Sequence, residues 1–212
     1  MEKTKSSRDP AFSVPLFKSP ILDKLSRTHI AAPLTIFTVI AAVLFYYGIM
    51  EKGFEVPVMI VLFVLGFLFF TLVEYLMHRY LYHIEPTTER RKKMAYTMHG
   101  VHHDYPKDKK RLAMPPLLSL IIATIFFVIY RAVMGNYAFG FLSGFLMGYT
   151  AYLAIHYSVH AFKMPQNFLK VLWEHHLTHH YRETDRAFGV SSPLWDYVFR
   201  TMPRGDWKKG PF

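Results

Sequence analysis

The stretch Glu174-His175-His176-Leu177-Thr178-His179-His180-Tyr181 places four histidines within six consecutive positions. Eleven of the chain's twelve histidines lie in four groups of this kind. Imidazole is the commonest metal ligand among protein side chains. Four such groups predict a fold that brings them to one metal site. The three other groups are His78 with His83; His99, His102 and His103; and His156 with His160.

Long apolar runs separate these groups. Hydrophobic residues make up 52% of the 212 positions, and a helix needs about 20 apolar residues to cross a hydrocarbon core of about 30 Å. The runs predict four membrane-spanning helices, near 31–50, 58–78, 117–134 and 137–156. Gly140, Gly144 and Gly148, four residues apart, predict close helix packing. We therefore expect an all-α membrane protein with four transmembrane helices.

The remaining segments are polar or amphipathic. Residues 1–30 predict an N-terminal segment that lies at the membrane interface. Residues 79–114 and 157–212 predict a helical cap, and the whole of 1–212 reads as one domain without a fused haem domain. His29, outside the four groups, is expected to be an interfacial or capping histidine rather than a ligand.

The distribution of lysine and arginine predicts the orientation. Six precede the first predicted span, nine lie in 79–111 and eight follow the fourth span, whereas the two short turns contain only Lys52 and Arg131. The positive-inside rule then places both termini, the cap and every histidine group in the cytosol. The net charge of +10 is explained by anionic lipid headgroups, so we expect no nucleic-acid partner.

Helical spacing suggests how the histidines project. Residues three and four apart share a helix face, so His99, His102 and His103 should project together, as should His176, His179 and His180. His78 and His83 are five apart and would diverge by about 140° on a straight α-helix. They need either a helix end between them or two different metals. Two metals sharing eight to ten imidazoles fit the number of histidines better than one tetrahedral zinc.

The donor set limits the metal. The chain has no cysteine, so nitrogen and oxygen must bind it, and imidazole suits iron, copper and zinc alike. A site at the membrane surface implies a lipid substrate, and attack on a lipid C–H bond requires a redox metal and O2. We therefore expect iron, although zinc could occupy the site in a purified sample.

Other polar residues near the predicted site have open roles. Glu74 could pair with Arg79, reach the interface, or hydrogen-bond a ligating histidine. Tyr149, Tyr152 and Tyr157 either line a substrate path or anchor the chain at the membrane boundary.

The histidine groups and their flanking residues resemble the fatty acid hydroxylase and sterol desaturase superfamily of membrane di-iron enzymes, and most closely its fatty acid 2-hydroxylases. The first motif is Glu74-Tyr75-Leu76-Met77-His78-Arg79-Tyr80-Leu81-Tyr82-His83. The second is His99-Gly100-Val101-His102-His103, and the third is His156-Tyr157-Ser158-Val159-His160. The last is His176-Leu177-Thr178-His179-His180, followed by Phe188-Gly189-Val190-Ser191-Ser192 and Trp195-Asp196.

The resemblance implies ten metal ligands and excludes His175 from them. It also implies a cytosolic helical cap over four transmembrane helices, and insertion of a hydroxyl group at carbon 2 of a fatty acid, free or within a ceramide. Electrons are then expected from an external cytochrome or ferredoxin. The implied ligands are His78, His83, His99, His102, His103, His156, His160, His176, His179 and His180.

Two alternatives stay open from the sequence. One is a sterol or carotenoid hydroxylase or desaturase of the same superfamily, and the other is a metal-binding membrane protein without enzymatic activity. Leu153, Ala161 and Arg200 depart from the residues expected in the closest relatives, which leaves the substrate and the position of hydroxylation open. The membrane is expected to be the endoplasmic reticulum in a eukaryote or the inner membrane in a bacterium.

Overall fold

The computed structural model describes residues 13–205, and in this part of the chain every regular element is a helix. The predicted all-α class is therefore confirmed for these residues. The α-helices are α1 (Pro20–Leu25), α2 (Ala31–Met50), α3 (Val56–Leu76), α4 (Glu89–Ala95), α5 (Val101–Asp104), α6 (Pro116–Met134), α7 (Ala138–Ala161), α8 (Lys170–Tyr181) and α9 (Leu194–Val198).

Three helical stretches of the described chain are long and apolar enough to cross a membrane: Ala31–Met50, Val56–Tyr82 and Pro116–Ala161. The third contains α6 and α7, which a short 3-10 turn at Gly135–Tyr137 connects. Gly135 has a φ of +56° there, a left-handed conformation that glycine adopts readily. The apolar faces of these helices point outward, as expected for a membrane protein.

Ring contacts show that α6 and α7 run antiparallel. Tyr130 lies 5.0 Å from Phe141, and Phe126 lies 5.0 Å from Phe145, between ring centroids. Positions earlier on α6 thus meet positions later on α7. These rings, with Phe37 and Phe70, form the buried core between the long helices.

Glycines bring α7 into close contact with α3. A Cβ atom added to Gly144 would lie 1.8 Å from the carbonyl oxygen of Phe63, and one added to Gly66 would lie 1.9 Å from that of Phe141. The two backbones therefore touch at two points, the small-residue packing predicted from the glycine spacing. This contact fixes α3 and α7 relative to each other. Helix α3 is followed directly by a π-helix, Met77–Tyr82, that contains His78, and α7 contains His156 and His160 near its end.

The segment before α2 folds back onto the loop before α6. The Oγ atom of Ser13 donates a hydrogen bond to Asp108, and Arg111 forms an ion pair of 2.8 Å with Asp23. Helix α1 leaves Ile21 and Leu25 exposed, which suits a helix at a membrane interface. Residues 1–12 and 206–212 of the predicted interfacial segment and cap lie outside the described residues.

Candidate metal centre

The ten histidines that the resemblance implies as ligands lie together, as two groups of five. In each group, one nitrogen atom from every histidine lies within 4.8 Å of the corresponding atoms of the other four. We call the groups centre A and centre B. Centre A consists of His78, His83, His99, His103 and His179, and centre B of His102, His156, His160, His176 and His180.

The Nε2 atoms of neighbouring histidines lie unusually close together. In centre A, the Nε2 atoms of His78 and His99 are 3.0 Å apart, and those of His83 and His179 are also 3.0 Å apart. In centre B, the Nε2 atoms of His102 and His156 are 2.9 Å apart. The Nε2 atom of His176 lies 2.9 Å from that of His160 and 3.1 Å from that of His180.

These spacings fit a metal with more than four ligands. Nitrogens about 2.1 Å from one ion lie about 3.0 Å apart when neighbouring bonds meet near 90°, and about 3.4 Å apart in a tetrahedron. The observed distances of 2.9–3.1 Å match the first case. Each group also offers five nitrogens, one more than a tetrahedral structural zinc site uses.

Backbone carbonyl groups orient three of the rings. The Nδ1 atom of His78 donates to the carbonyl oxygen of Phe188 at 2.5 Å, that of His179 to Arg186 at 2.7 Å, and that of His156 to Leu112 at 3.3 Å. A carbonyl oxygen only accepts, so the Nδ1 atom holds the proton and the Nε2 lone pair of a neutral ring is free to bind metal.

The environment keeps these imidazoles neutral, which is the form that binds metal. Burial, which disfavours the charged form, lowers the pKa of His83 and of His103 to about 4. Burial, followed by repulsion from neighbouring histidines, holds the pKa well below its usual value for His99, His102, His176 and His179.

Four imidazole nitrogens of the two centres are buried without a hydrogen-bond partner among the described residues: the Nε2 atom of His103 and the Nδ1 atoms of His102, His176 and His180. The Nε2 atom of His103 is buried and has no hydrogen-bond partner among residues 13–205. An unsatisfied buried polar atom is costly, and a metal ion in centre A would provide its partner. This atom supports a metal ion in centre A, and the five nitrogens that lie within 4.8 Å of one another in each centre fit two bound ions in all.

The two centres are adjacent because histidines that are neighbours in the chain belong to different centres. His102 and His180 belong to centre B, whereas their chain neighbours His103 and His179 belong to centre A. The rings of His103 and His180 stack with centroids 4.2 Å apart. The prediction that each group of three histidines projects together was therefore wrong in detail, since each contributes to both centres.

A π-helical turn explains the pair five residues apart. Residues Met77–Tyr82 form a π-helix that continues α3, and the amide of His83 donates to the carbonyl oxygen of His78 at 3.3 Å. Hydrogen bonds from i to i+5 define this helix, so positions five apart share a face. Both residues therefore reach centre A. The helix ends at Tyr82, between them, which confirms the first of the two options that the sequence left open, and two different metals are not needed.

Glu74 has partners that the sequence did not suggest. Its Oε1 atom accepts hydrogen bonds from the amides of Val190 at 2.7 Å and Ser191 at 2.9 Å, and its Oε2 atom accepts one from the hydroxyl of Ser191. Within the described part of the chain, Glu74 forms no hydrogen bond or ion pair with Arg79 or with a histidine. Arg79 instead donates to the hydroxyl of Tyr75 at 2.8 Å.

His175 lies outside both centres, as the resemblance implied. It is buried rather than at the surface, and its Nε2 atom donates to the Oδ2 atom of Asp196 at 3.0 Å. Asp196 is fully buried and was not singled out from the sequence as a functional residue. His29 is exposed and accepts a hydrogen bond from the amide of Ala31, which is a capping contact.

Two cavities adjoin the centres. A cavity of about 400 Å³ reaches centre A at His99 and centre B at His102 and His156. A smaller, apolar cavity of about 140 Å³ lies among α2, α3, α6 and α7 and touches His78. Both are lined by Met77, Tyr82, Met114, Ile122, Tyr149 and Tyr152. Tyr157 lines neither of these two and packs against Phe162.

Comparison with known families agrees with this arrangement. The sequence model of the family described as fatty acid hydroxylase matches residues 63–201, which include all ten clustered histidines. The chain belongs to this family. The fatty acid hydroxylase family is iron-dependent, and the two imidazole groups of this member can hold metal.

Curated relatives of this family member are named as hydroxylases of fatty acids or of ceramides. It is 38% identical over 196 residues to the ceramide very long chain fatty acid hydroxylase scs7 of Schizosaccharomyces pombe, covering 89% of this chain and 55% of that protein. It is 39% identical over 150 residues to the fatty acid 2-hydroxylase of Rattus norvegicus, covering 68% of this chain and 40% of that protein.

A plant relative and a solved structure extend the comparison. The dihydroceramide fatty acyl 2-hydroxylase FAH1 of Arabidopsis thaliana is 34% identical over 154 residues, which are 72% of this chain and 65% of that protein. The solved structure titled full length scs7p (only hydroxylase domain visible) is 31% identical with a TM-score of 0.80, covering 87% of this chain and 70% of that one. This family member thus spans about half the length of the curated relatives it matches.

Proposed function

We propose that this chain is an O2-dependent di-iron hydroxylase that inserts a hydroxyl group at carbon 2 of a fatty acid or of the acyl chain of a ceramide. The observation that carries the proposal is the pair of adjacent five-imidazole centres beside apolar cavities. The relatives named above as ceramide or fatty acid 2-hydroxylases support the choice of substrate and carbon.

The ten histidines would hold two iron ions, five to each ion. Nitrogen-only donors, neutral at physiological pH and five to a centre, suit Fe²⁺ better than tetrahedral Zn²⁺. Bound iron would supply the redox chemistry by which O2 oxidises a C–H bond. Zinc binding to the same nitrogens in a purified sample would give an inactive protein.

The cavities would hold the acyl chain. The smaller one has almost only apolar surface and lies between the long helices, which suits a hydrocarbon tail. The larger one reaches both centres, so a carbon near the acyl carbonyl group can lie beside them while the tail occupies the apolar space. The protein's contribution is to position that carbon and to exclude water.

The membrane arrangement belongs to the same proposal. Four spans, with α6 and α7 as a hairpin, would place both termini, the cap and both centres in the cytosol, and the bias of basic residues supports this. The membrane would be the endoplasmic reticulum of a eukaryote or the inner membrane of a bacterium. The predicted single domain and its span boundaries stay predictions.

An external cytochrome or ferredoxin would supply the electrons. Helix α4 exposes Arg90, Arg91, Lys92 and Lys93, and its end continues through the π-helix Tyr96–Gly100 to His99. This basic surface supports docking of an acidic donor by charge complementarity close to centre A.

The lipids of a host that lacks 2-hydroxylated acyl chains test the proposal. Expression of this chain with a suitable reductase should yield 2-hydroxy fatty acids or 2-hydroxy ceramides, as measured by mass spectrometry. A matched strain expressing the His160→Ala variant should yield none. A new double bond, or an altered sterol or carotenoid, would instead favour the superfamily alternative. No lipid product from an iron-loaded protein would favour a non-enzymatic metal-binding protein.

A further inference from the structure

We propose that Asp196 and Glu74 are positioning residues for centre A, and that they act through the segment 186–191. We call this segment the strap. The inference rests on the proposed metal-binding function and goes beyond the ten ligands. It assigns a task to two buried carboxylates and predicts that the two centres depend on them unequally.

The strap presents its amide groups to carboxylates. Four consecutive backbone N–H groups, those of residues 188–191, donate to two acidic side chains. Asp196 accepts from Phe188 at 2.9 Å and from Gly189 at 2.7 Å. Glu74 accepts from Val190 at 2.7 Å and from Ser191 at 2.9 Å. The two carboxylates therefore fix the strap from the C-terminal region and from α3.

The strap presents its carbonyl groups to centre A. The carbonyl oxygen of Phe188 accepts from His78, and that of Arg186 accepts from His179. The Phe188 ring also packs against centre A, with its centroid 5.8 Å from that of His78 and 5.5 Å from that of His179. Such carbonyl partners set the tautomer and the direction of a ligating imidazole.

The backbone of the strap is strained at the residue between these two carbonyl groups. Ala187 has a φ of +57° and is fully buried, and non-glycine residues adopt this conformation rarely. Its amide donates to the carbonyl oxygen of Thr201 at 2.9 Å. A conformation of this kind persists only where surrounding contacts enforce it, and the hydrogen bonds to Asp196 and Glu74 are such contacts.

Among the described residues, centre B has less support of this kind. Of its five histidines, His156 donates from Nδ1 to the carbonyl oxygen of Leu112, at the longer distance of 3.3 Å. The Nδ1 atoms of His102, His176 and His180 are buried without a hydrogen-bond partner among the described residues. A loosened strap should therefore disturb centre A, which it contacts directly, more than centre B, which it reaches only through α8.

The hydrogen bonds predict which substitutions matter. Both oxygens of Asp196 accept from a backbone N–H group, and their other partners are Thr201 and His175. In Asp196→Asn, the new NH2 group faces the N–H group of Phe188 or of Gly189. Both groups are donors and the backbone N–H group cannot rotate, so one hydrogen bond to the strap is lost. Glu74 receives both amides on one oxygen, and the hydroxyl of Ser191 can reverse its direction. Glu74→Gln should therefore preserve every contact, whereas Glu74→Ala removes them.

The experiment is a Co²⁺ titration of the purified full chain, followed by visible absorption and by the metal content per chain. We expect wild-type protein to bind two Co²⁺ ions. Asp196→Asn and Glu74→Ala should each weaken one of the two sites by about 10–100-fold, the usual effect of removing an outer hydrogen-bond partner. Glu74→Gln should bind like the wild type. Glu55→Gln, which alters an exposed carboxylate at the opposite end of α3 from Glu74, is the control and should also bind like the wild type.

Double variants show which centre is affected. His160→Ala removes a ligand of centre B, and Asp196→Asn combined with it should weaken the remaining site further. His78→Ala removes a ligand of centre A. When Asp196→Asn is added to His78→Ala, the Co²⁺ affinity of neither site should fall further. If Asp196→Asn does not fold, Glu74→Ala against Glu74→Gln gives the same comparison.

Equal weakening of both sites, or no weakening of either, overturns the inference. Failure of Glu74→Gln to match the wild type also overturns it. A wild-type chain that binds fewer than two Co²⁺ ions would instead contradict the proposed dimetal function, so the two failures are distinguishable.

Discussion

The close contact of α3 with α7 leads to a prediction about both metal centres. A Cβ atom at residue 144 would lie 1.8 Å from the carbonyl oxygen of Phe63, and Cβ atoms essentially never lie within 3.0 Å of such a neighbour. The oxygen belongs to helix backbone and cannot swing aside. Gly144→Ala must therefore separate the two helices by more than about 1 Å, at a cost of about 1–3 kcal/mol in unfolding free energy.

That separation reaches the centres because each helix ends in ligands. Helix α3 continues to His78 and His83 in centre A, and α7 contains His156 and His160 in centre B. Helix α8 contributes histidines to both centres. If α3 and α7 move apart, α8 cannot keep its distance to both of them. Metal–ligand distances tolerate changes of only about 0.2 Å. We therefore expect Gly144→Ala to lose metal from at least one centre.

The assay is metal content per chain and thermal stability of the purified protein in detergent. Gly48→Ala is the matched control, since its Cβ atom meets the flexible end of Met59 at 2.4 Å and α2 contains no histidine. It should retain both metals. Retention of both metals at wild-type affinity by Gly144→Ala would refute the argument that this contact holds the two histidine pairs in register.

Three further predictions concern the site and the cavity. His103→Ala should weaken metal binding, because its buried Nε2 atom has no other partner in the described structure, whereas His29→Ala should not; equal affinities would contradict the assignment. Chelation of the metal should lower the melting temperature, and Fe²⁺ should restore it, because a ligand at about 1,000 times its Kd stabilises by about 4 kcal/mol; an unchanged melting temperature would count against a structural contribution of the metal. Ala123→Phe should shorten the acyl chains that are hydroxylated, since Ala123 lines the apolar cavity, whereas Ala132→Phe, on the exposed face of α6, should not; identical product profiles would place the chain elsewhere.

The helical periodicity of the sequence predicted part of the site. His99 and His103 are four residues apart, as are His156 and His160, and His176 and His180, and each pair enters one centre. Four residues on an α-helix turn through about 40° beyond one revolution, whereas three fall about 60° short. Members of the triplets that lie three apart therefore reach neighbouring centres, which the shared-face rule did not resolve.

The rest depended on features without a local sequence signal. The π-helical turn that brings His78 and His83 together has about one more residue per turn than an α-helix. The spacing of the two histidines showed only that a regular α-helix could not bring them together. The contact of Glu74 with Val190 joins residues 116 positions apart. The alternatives that the sequence offered for Glu74 were Arg79, the interface and a ligating histidine. The division of the ten histidines into two groups likewise follows from tertiary packing.

The most direct test of the proposed reaction is a single turnover with purified protein. The chain is loaded with Fe²⁺ under anaerobic conditions, reduced, and exposed to ¹⁸O₂ in the presence of a long-chain ceramide. We expect one ¹⁸O atom in a hydroxyl group at carbon 2 of the acyl chain. A fully iron-loaded and reduced protein that yields no labelled hydroxyl, or that yields a double bond instead, would contradict the proposed reaction.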